Sequence, residues 1–265
     1  MSNIENFSTH EPLTIQKNEE IQKTALQAAL IDSKKSALQK YQDFAVGSSK
    51  LSALLKYEIL TGIFGPIPGA LGLVLRKRFY KSLFGSIGRG VVFGKSITIR
   101  HPHKIHIGEN VIIDDYAVLD AKGTDNQGIT IGNNVMIGRN SVISCKNGDI
   151  TIGDNTNIAM NCFIQSAKTV HIGANVLIAP YCYVIGGGDH ETVRTDIPII
   201  AQGQIVKGII IEDNCWLGAD VKVLDGIKIE RDSIIGTGAV VTKSLPEFNV
   251  AVGIPAKVIK IRKNG

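Results

Sequence analysis

From Ile107 onward an aliphatic residue returns at every sixth position. The triples are Ile107, Ile113, Leu119; Ile131, Ile137, Ile143; Ile152, Ile158, Ile164; Ile172, Ile178, Val184; Ile211, Leu217, Val223; and Ile229, Ile235, Val241. All eighteen positions hold Ile, Leu or Val, and four residues after them fourteen hold a small residue or Val, the exceptions being Asn147, Lys168, Ile227 and Leu245. An α-helix repeats its apolar stripe near 3.6 residues, so a period of six excludes one. It predicts short strands joined by tight turns, each strand pointing one large and one small residue inward. Gly108, Gly132, Gly153, Gly173, Gly218 and Gly236 follow the aliphatics, and Asn110, Asn134, Asn155, Asn175 and Asn214 lie in the same turns. Both residue types tolerate left-handed backbone.

Between triples the spacing is 12, 9, 8, 27 and 6. Three hexapeptides therefore make one coil of a triangular prism, and six, three, two, twenty-one and no extra residues fall at one corner. The pattern predicts an all-β solenoid of about six coils with a helical N-terminal extension. Its largest excursion, residues 185–210, projects from one edge, and long loops on rigid scaffolds are where function concentrates. The predicted organisation is a polar, partly helical extension over 1–49, an apolar and basic hairpin over 50–90, the solenoid over 91–245 and a tail over 246–265.

The run from Val176 onward carries a resemblance. NVLIAP, GGGDH, IEDNCWLGADVKVLDGIKI, IIGTGAVVTKSLP and GIPAKVIK resemble the hexapeptide-repeat acyltransferases, in the galactoside, maltose and xenobiotic O-acetyltransferase branch. The resemblance covers Ile107 to Ile261 and implies a left-handed parallel β-helix, a homotrimer with clefts between neighbouring prisms, and acetyl-CoA as co-substrate. It implies His190 as general base, a role that neutral imidazole suits. It places Trp216, Ala219 and Thr237 beside the acyl donor, Thr242 and Lys243 near its nucleotide, and Lys257 and Lys260 at CoA phosphates. An amide near Gly218 and Ala219 would face the developing oxyanion. Asn161 aligns with an asparagine facing the thioester, and its alternative is a turn asparagine. Asp189, Glu191 and Asp196 remain open between orienting the imidazole, binding the acceptor and lying in a polar loop. Asp120 is a candidate for a glycan hydroxyl.

Other chemistry fits less well. No G-x-S-x-G elbow is present. Cys162, Cys182 and Cys215 occupy small inward slots, where a thiol behaves as a hydrophobe, and Cys145 is expected on a turn just outside that register. His101 and His106 are spaced for a metal, but His171 is expected about four coils away, too far to share an ion within one subunit. No metal is therefore expected.

Composition and charge add two points. Of 265 residues 44% are hydrophobic, which excludes a wholly disordered chain. Lys50 to His106 holds ten basic residues and one acidic residue. Within it Ile59 to Leu75 has no charge but contains Pro66 and Pro68, and Arg76, Lys77, Arg78 and Lys81 follow. Two prolines break a spanning helix. The segment reads as an interfacial hairpin on anionic lipid, or as a cover for the solenoid's open end or packing between subunits. Basic residues flanking an aliphatic run argue against nucleic acid. No secretory signal is read before Thr14, so the cytoplasm is expected, with a peripheral place on the inner face of the cytoplasmic membrane. The functional expectation is an acetyl-CoA-dependent O-acetyltransferase acting on a sugar hydroxyl of a polysaccharide or lipid-linked glycan precursor, by direct transfer. The alternatives are an N-acyltransferase on an amino sugar or amine, and a non-catalytic membrane-bound scaffold.

Overall fold

Each aliphatic of the repeat lies on a short strand paired in parallel with the strand one coil away. The computed structural model describes residues 31–262. Sheet A has seven strands, from Ser86–Ile87 through Thr169–Ile172 to Lys228–Ile229. Sheet B has nine, from Val92–Phe93 through Trp216–Leu217 to Asn249–Val252 and Lys257–Ile261. Sheet C has seven, from Thr98–Arg100 through Tyr183–Gly186 to Val240–Val241.

Register is strict. Along sheet B, Ile113 pairs with Ile137, Ile137 with Ile158, Ile158 with Ile178, Ile178 with Leu217 and Leu217 with Ile235. None of the eighteen repeat aliphatics is more than 3% exposed. Each contributes roughly 1.5–3 kcal/mol of transfer free energy, so a slip by one residue would expel a whole row. The corner between sheets A and B is polar. Asn110, Asn134, Asn155, Asn175 and Asn214 all have positive φ there. Their amides hydrogen-bond from coil to coil, Asn134 to Asn155 at 3.0 Å and Asn155 to Asn175 at 3.2 Å.

Three expectations are corrected. The solenoid has seven complete coils and the start of an eighth, not about six, because a coil over Ser86–Arg100 precedes the first clean triple. It therefore starts before residue 91, and its tail adds two strands to sheet B. Cys145 lies on the strand Val142–Cys145, buried, and not on a turn. The excursions 121–128, 146–148, 167–168 and 187–208 do all leave sheet C and return to sheet A, at the single corner expected.

The N-terminal end is covered by α1 (Ala37–Tyr41), α2 (Leu51–Ile59) and α3 (Gly69–Phe79). Ser36 and Gln39 form a capping box on α1. Pro66 and Pro68 separate α2 from α3, so the expected hairpin is a helix pair. Arg76 fastens it. This guanidinium is 1% exposed and donates to Phe93 O at 2.9 Å, Phe64 O at 3.0 Å, Gly65 O at 3.3 Å and Ile67 O at 2.6 Å. The Tyr57 hydroxyl donates to Ile99 O at 2.7 Å, and Ser96 N donates to Gly65 O at 2.9 Å. Phe93 stacks with Phe84 at 5.3 Å. These bonds satisfy first-coil groups that have no preceding coil, as a solenoid end requires. Gly72 is packed against Ile67 O and Arg76, which leaves no room for a side chain. Ile21, Leu26 and Leu30 of the predicted extension lie outside the described residues. Among the described residues no helix is long and apolar enough to cross a membrane.

Candidate active site

The excursion 187–208 is an arm with its own hydrogen bonding. Gly186 ends a sheet C strand, and Gly188 takes φ 78°, a left-handed turn that swings the chain outward. Asp189 and His190 then pair antiparallel with Ile205 and Gln204. Glu191 N donates to Gly203 O at 2.8 Å, and the Gln204 side chain donates to Gly187 O at 2.6 Å. Gln202, although in a polar loop, is buried; its amide donates to Arg194 O at 2.7 Å and accepts from Arg194 N at 3.3 Å. At the return, the Asp225 carboxylate accepts from Lys207 N at 2.7 Å and Gly208 N at 2.9 Å. Asp149 does the same for Gln127 and Gly128 at the end of the first excursion, at 2.7 and 2.9 Å.

This framework holds His190 exposed, with its ring hydrogen-bonded to nothing among the described residues. Asp196 does not reach it. Its carboxylate is bonded to Arg194 at 3.0 Å, and that bond holds its pKa below the usual carboxylate range. Asp189 and Glu191 are exposed and make no bond to the ring either. Val193, Ile199, Ile200 and Ile205 leave an uncovered apolar surface on the same arm.

The predicted acyl-donor residues lie elsewhere on the prism. Trp216 points outward from sheet B, half exposed, between Leu177 and Ile234. The row continues through Val250 to Lys260, and Lys257 is on the same last strand. Ala219 and Thr237 stack at the corner between sheets B and C, where Gly238 N donates to Ala219 O at 2.8 Å and Gly218 packs under Thr237. Gly218 N is already bonded to Ile235 O, whereas Ala219 N has no partner within the described residues. Ala219 N is thus the free donor of the two. Thr242 and Lys243 are exposed just after Val241, toward the corner from which the arm leaves two coils earlier.

The edge between sheets A and C is opposite sheet B. His190 and the Trp216–Lys260 row therefore lie on different sides of the column. Asn161 takes φ 58° at the corner between sheets B and C, and its N–H donates to Arg139 O. Asp120 is buried, with Arg100 and Lys122 each 3.1 Å from its carboxylate and Phe44 between the two cations. It braces the N-terminal segment and presents no free edge to a sugar.

Three of the four thiols are held protonated: burial pushes Cys145 up to about 12 and Cys215 to about 11, and a hydrogen bond with Cys162 raises Cys182. The same bond lowers Cys162, whose side chain is buried inside the column. His171 lies three strands from His106 along sheet A, closer than the four coils expected, and His101 is buried against Asp43 O at 2.8 Å. Among the described residues no group of three or more His, Cys, Asp or Glu side chains is placed to hold a metal.

The fastenings of the arm escaped the sequence reading. Gln202 and Gln204 look like any polar loop residue. The available signal was an acid one coil beyond the return of each long excursion, Asp149 and Asp225.

A parallel three-sided solenoid with a hexapeptide period and one long arm defines the class, and the chain belongs to the hexapeptide-repeat acetyltransferases. The bacterial transferase hexapeptide model matches residues 208–243, and the hexapeptide repeat of succinyl-transferase model matches 128–166. More particularly, the chain is similar to the galactoside O-acetyltransferase of Escherichia coli K12, 32% identical over 60% of this chain and 71% of that protein. It is also 35% identical to a probable acetyltransferase of Mycobacterium tuberculosis, over 51% of this chain but only 45% of that relative. Among solved structures, the polysialic acid O-acetyltransferase OatWY overlaps with a TM-score of 0.51 at 20% identity, covering 69% of this chain and 89% of that one, which shows the shared fold.

Proposed function

We propose that the protein transfers an acetyl group from acetyl-CoA to a hydroxyl of a sugar, carried by a polysaccharide or a lipid-linked glycan precursor. The observation that carries this reading is His190 held outward on a fastened arm, on the edge opposite the Trp216 face. In a homotrimer of parallel columns, the arm of one subunit reaches the groove beside its neighbour's Trp216, and Val193, Ile199 and Ile200 are covered. The thioester lies in that groove with its pantetheine arm along Ala219 and Thr237. Lys257 and Lys260 meet the phosphates of CoA, and Thr242 and Lys243, on the opposite edge, reach the nucleotide from the neighbouring subunit.

His190 accepts the proton of the acceptor hydroxyl as its oxygen attacks the thioester carbonyl. The Ala219 amide donates to the oxyanion, and the carbon–sulfur bond breaks as the imidazolium returns the proton to the departing thiolate. Placing thioester and hydroxyl in one groove supplies the proximity term. This reading keeps the enzyme in the cytoplasm, on the inner face of the membrane where lipid-linked acceptors are displayed.

His190→Ala is expected to lower CoA-thiol release by on the order of 10² or more while the melting temperature is unchanged. Wild-type turnover in that variant refutes the assignment. Offering hydroxyl and amino acceptors side by side separates this reading from N-acyl transfer. No CoA binding by calorimetry would favour a scaffold.

A further inference from the structure

The end cap has two faces. Its inner face, with Leu54, Tyr57 and Leu60, closes the column. Its outer face should be polar if it met only water, yet Leu51, Leu55, Ile59 and Ile63 form a stripe at four-residue spacing, each more than half exposed. On α3, Leu71 and Val74 are likewise 66% and 64% exposed. Exposed apolar surface of this kind marks a binding face. Its surroundings say of what: Lys77, Arg78 and Lys81 are exposed directly after the apolar turns, while Glu58 is the one acid from Lys50 to His106. Apolar residues flanked by cations match an anionic lipid surface, whose headgroups meet the charges while acyl chains take the Leu and Ile side chains.

We infer that this face seats the protein end-on on anionic membrane and stands the column upright. This builds on the proposed function, from which it takes the role of His190. The strand leading into the arm is four rungs from the first coil, through Ile105–Ile107, Ile129–Ile131, Asp149–Ile152 and Thr169–Ile172 in the neighbouring sheet. At about 4.8 Å per rung, plus a helix layer of about 10 Å, His190 is held roughly 30 Å from the lipid. The acceptor is then a lipid-linked or nascent chain long enough to bring a distal sugar to that height. The sugar adjoining the lipid is out of reach. In a cyclic trimer all three caps face the same side, which triples the contact.

The test needs no acceptor. Full-length protein is floated with vesicles of phosphatidylglycerol and phosphatidylcholine and with phosphatidylcholine alone. Flotation is expected only with the anionic vesicles and is expected to fade with salt. The triple variant Lys77→Gln, Arg78→Gln, Lys81→Gln should partition about 10²-fold less, at about 1 kcal/mol per charge. Leu55→Glu with Ile59→Glu should abolish binding at unchanged melting temperature.

The single tryptophan, Trp216, then reports orientation, because it stands five rungs up sheet B from Val92. Brominated lipid should leave its emission unchanged, yet quench a tryptophan introduced as Leu55→Trp in a Trp216→Phe background. Full-length protein that stays at the bottom overturns the docking while leaving acetyl transfer intact. Equal quenching of both probes overturns the upright posture. A drop in particle mass for Leu55→Glu, Ile59→Glu without vesicles assigns the face to a second copy and overturns the lipid reading.

Discussion

Removing the donors of Arg76 while keeping its apolar volume isolates what holds the cap to the column. In Arg76→Met, Phe64 O, Ile67 O and Phe93 O lose their partner; Gly65 O keeps Ser96 N. Each stranded carbonyl costs about 1–3 kcal/mol, so three give roughly 3–9 kcal/mol. The upper part of that range is not reached. Phe64 and Ile67 are half-buried, so water can approach them, and the variant no longer holds a desolvated cation, whose burial already pushes the pKa of the guanidinium down. A net loss of about 3–5 kcal/mol is expected, as for other buried charges whose network is broken. Because a solenoid is stabilised by neighbour contacts, the loss should stay local. Hydrogen exchange followed by mass spectrometry is expected to accelerate by on the order of 10² or more over residues 51–79, since each 1.4 kcal/mol is tenfold. Exchange over 150–185 should stay at the wild-type rate. Rates over 51–79 within threefold of wild type, or a uniform rise along the column, would refute the idea that Arg76 pins the cap.

The cap should also loosen in acid. Burial lowers the pKa of His101 from 6.5, with His103 and Lys104 adding to the shift against Asp43 O and Asp120. The unfolded segment therefore binds more protons between that lowered value and 6.5, and stability falls as pH drops through the window. Protection of residues 42–104 measured at pH 7.5 and 5.5 should show this, and His101→Asn, which tolerates φ 51°, should flatten it. On the asparagine corner, Asn155→Ala leaves the β-carbon in left-handed backbone without the polar side chain that makes asparagine tolerate it, and removes the bonds to Asn134 and Asn175. About 2–3 kcal/mol should be lost in urea titration, and Asn155→Gly should recover about 1 kcal/mol of it. On the arm, Gln202→Leu keeps the volume but removes the bonds to Arg194 and Ile197 O; turnover should fall about tenfold or more with little change in melting temperature. Unchanged turnover would refute the idea that Gln202 positions the arm.

The prism was legible because its energetics are local and periodic. Ile131, Ile152 and Ile172 are interchangeable members of one row, so spacing alone states the coil and the corner. The first coil was only partly legible: the solenoid was placed from residue 91, but the strand Ser86–Ile87 was not seen, and the inward residues Val91, Phe93, Ile97 and Ile99 include an aromatic that breaks the aliphatic row. The site was partly legible. His190 and Trp216 stand out by type, but Asp120 also did, and only packing reveals that Arg100 and Lys122 consume it.

What the amino-acid order determined by itself is the row of aliphatics, the left-handed turn residues and the corner at which the chain leaves the prism, because each depends on neighbours a few residues away. Tertiary structure alone decided which polar groups are spent on the fold and which are left over. Arg76, Asp120, Gln202 and Asp225 are bonded to groups 8 to 20 residues away, roughly 25 to 70 Å when the chain is extended, and His190 is left open. A side chain's chemistry is written in its type, but its availability depends on who else reaches it, and that is a property of the folded chain.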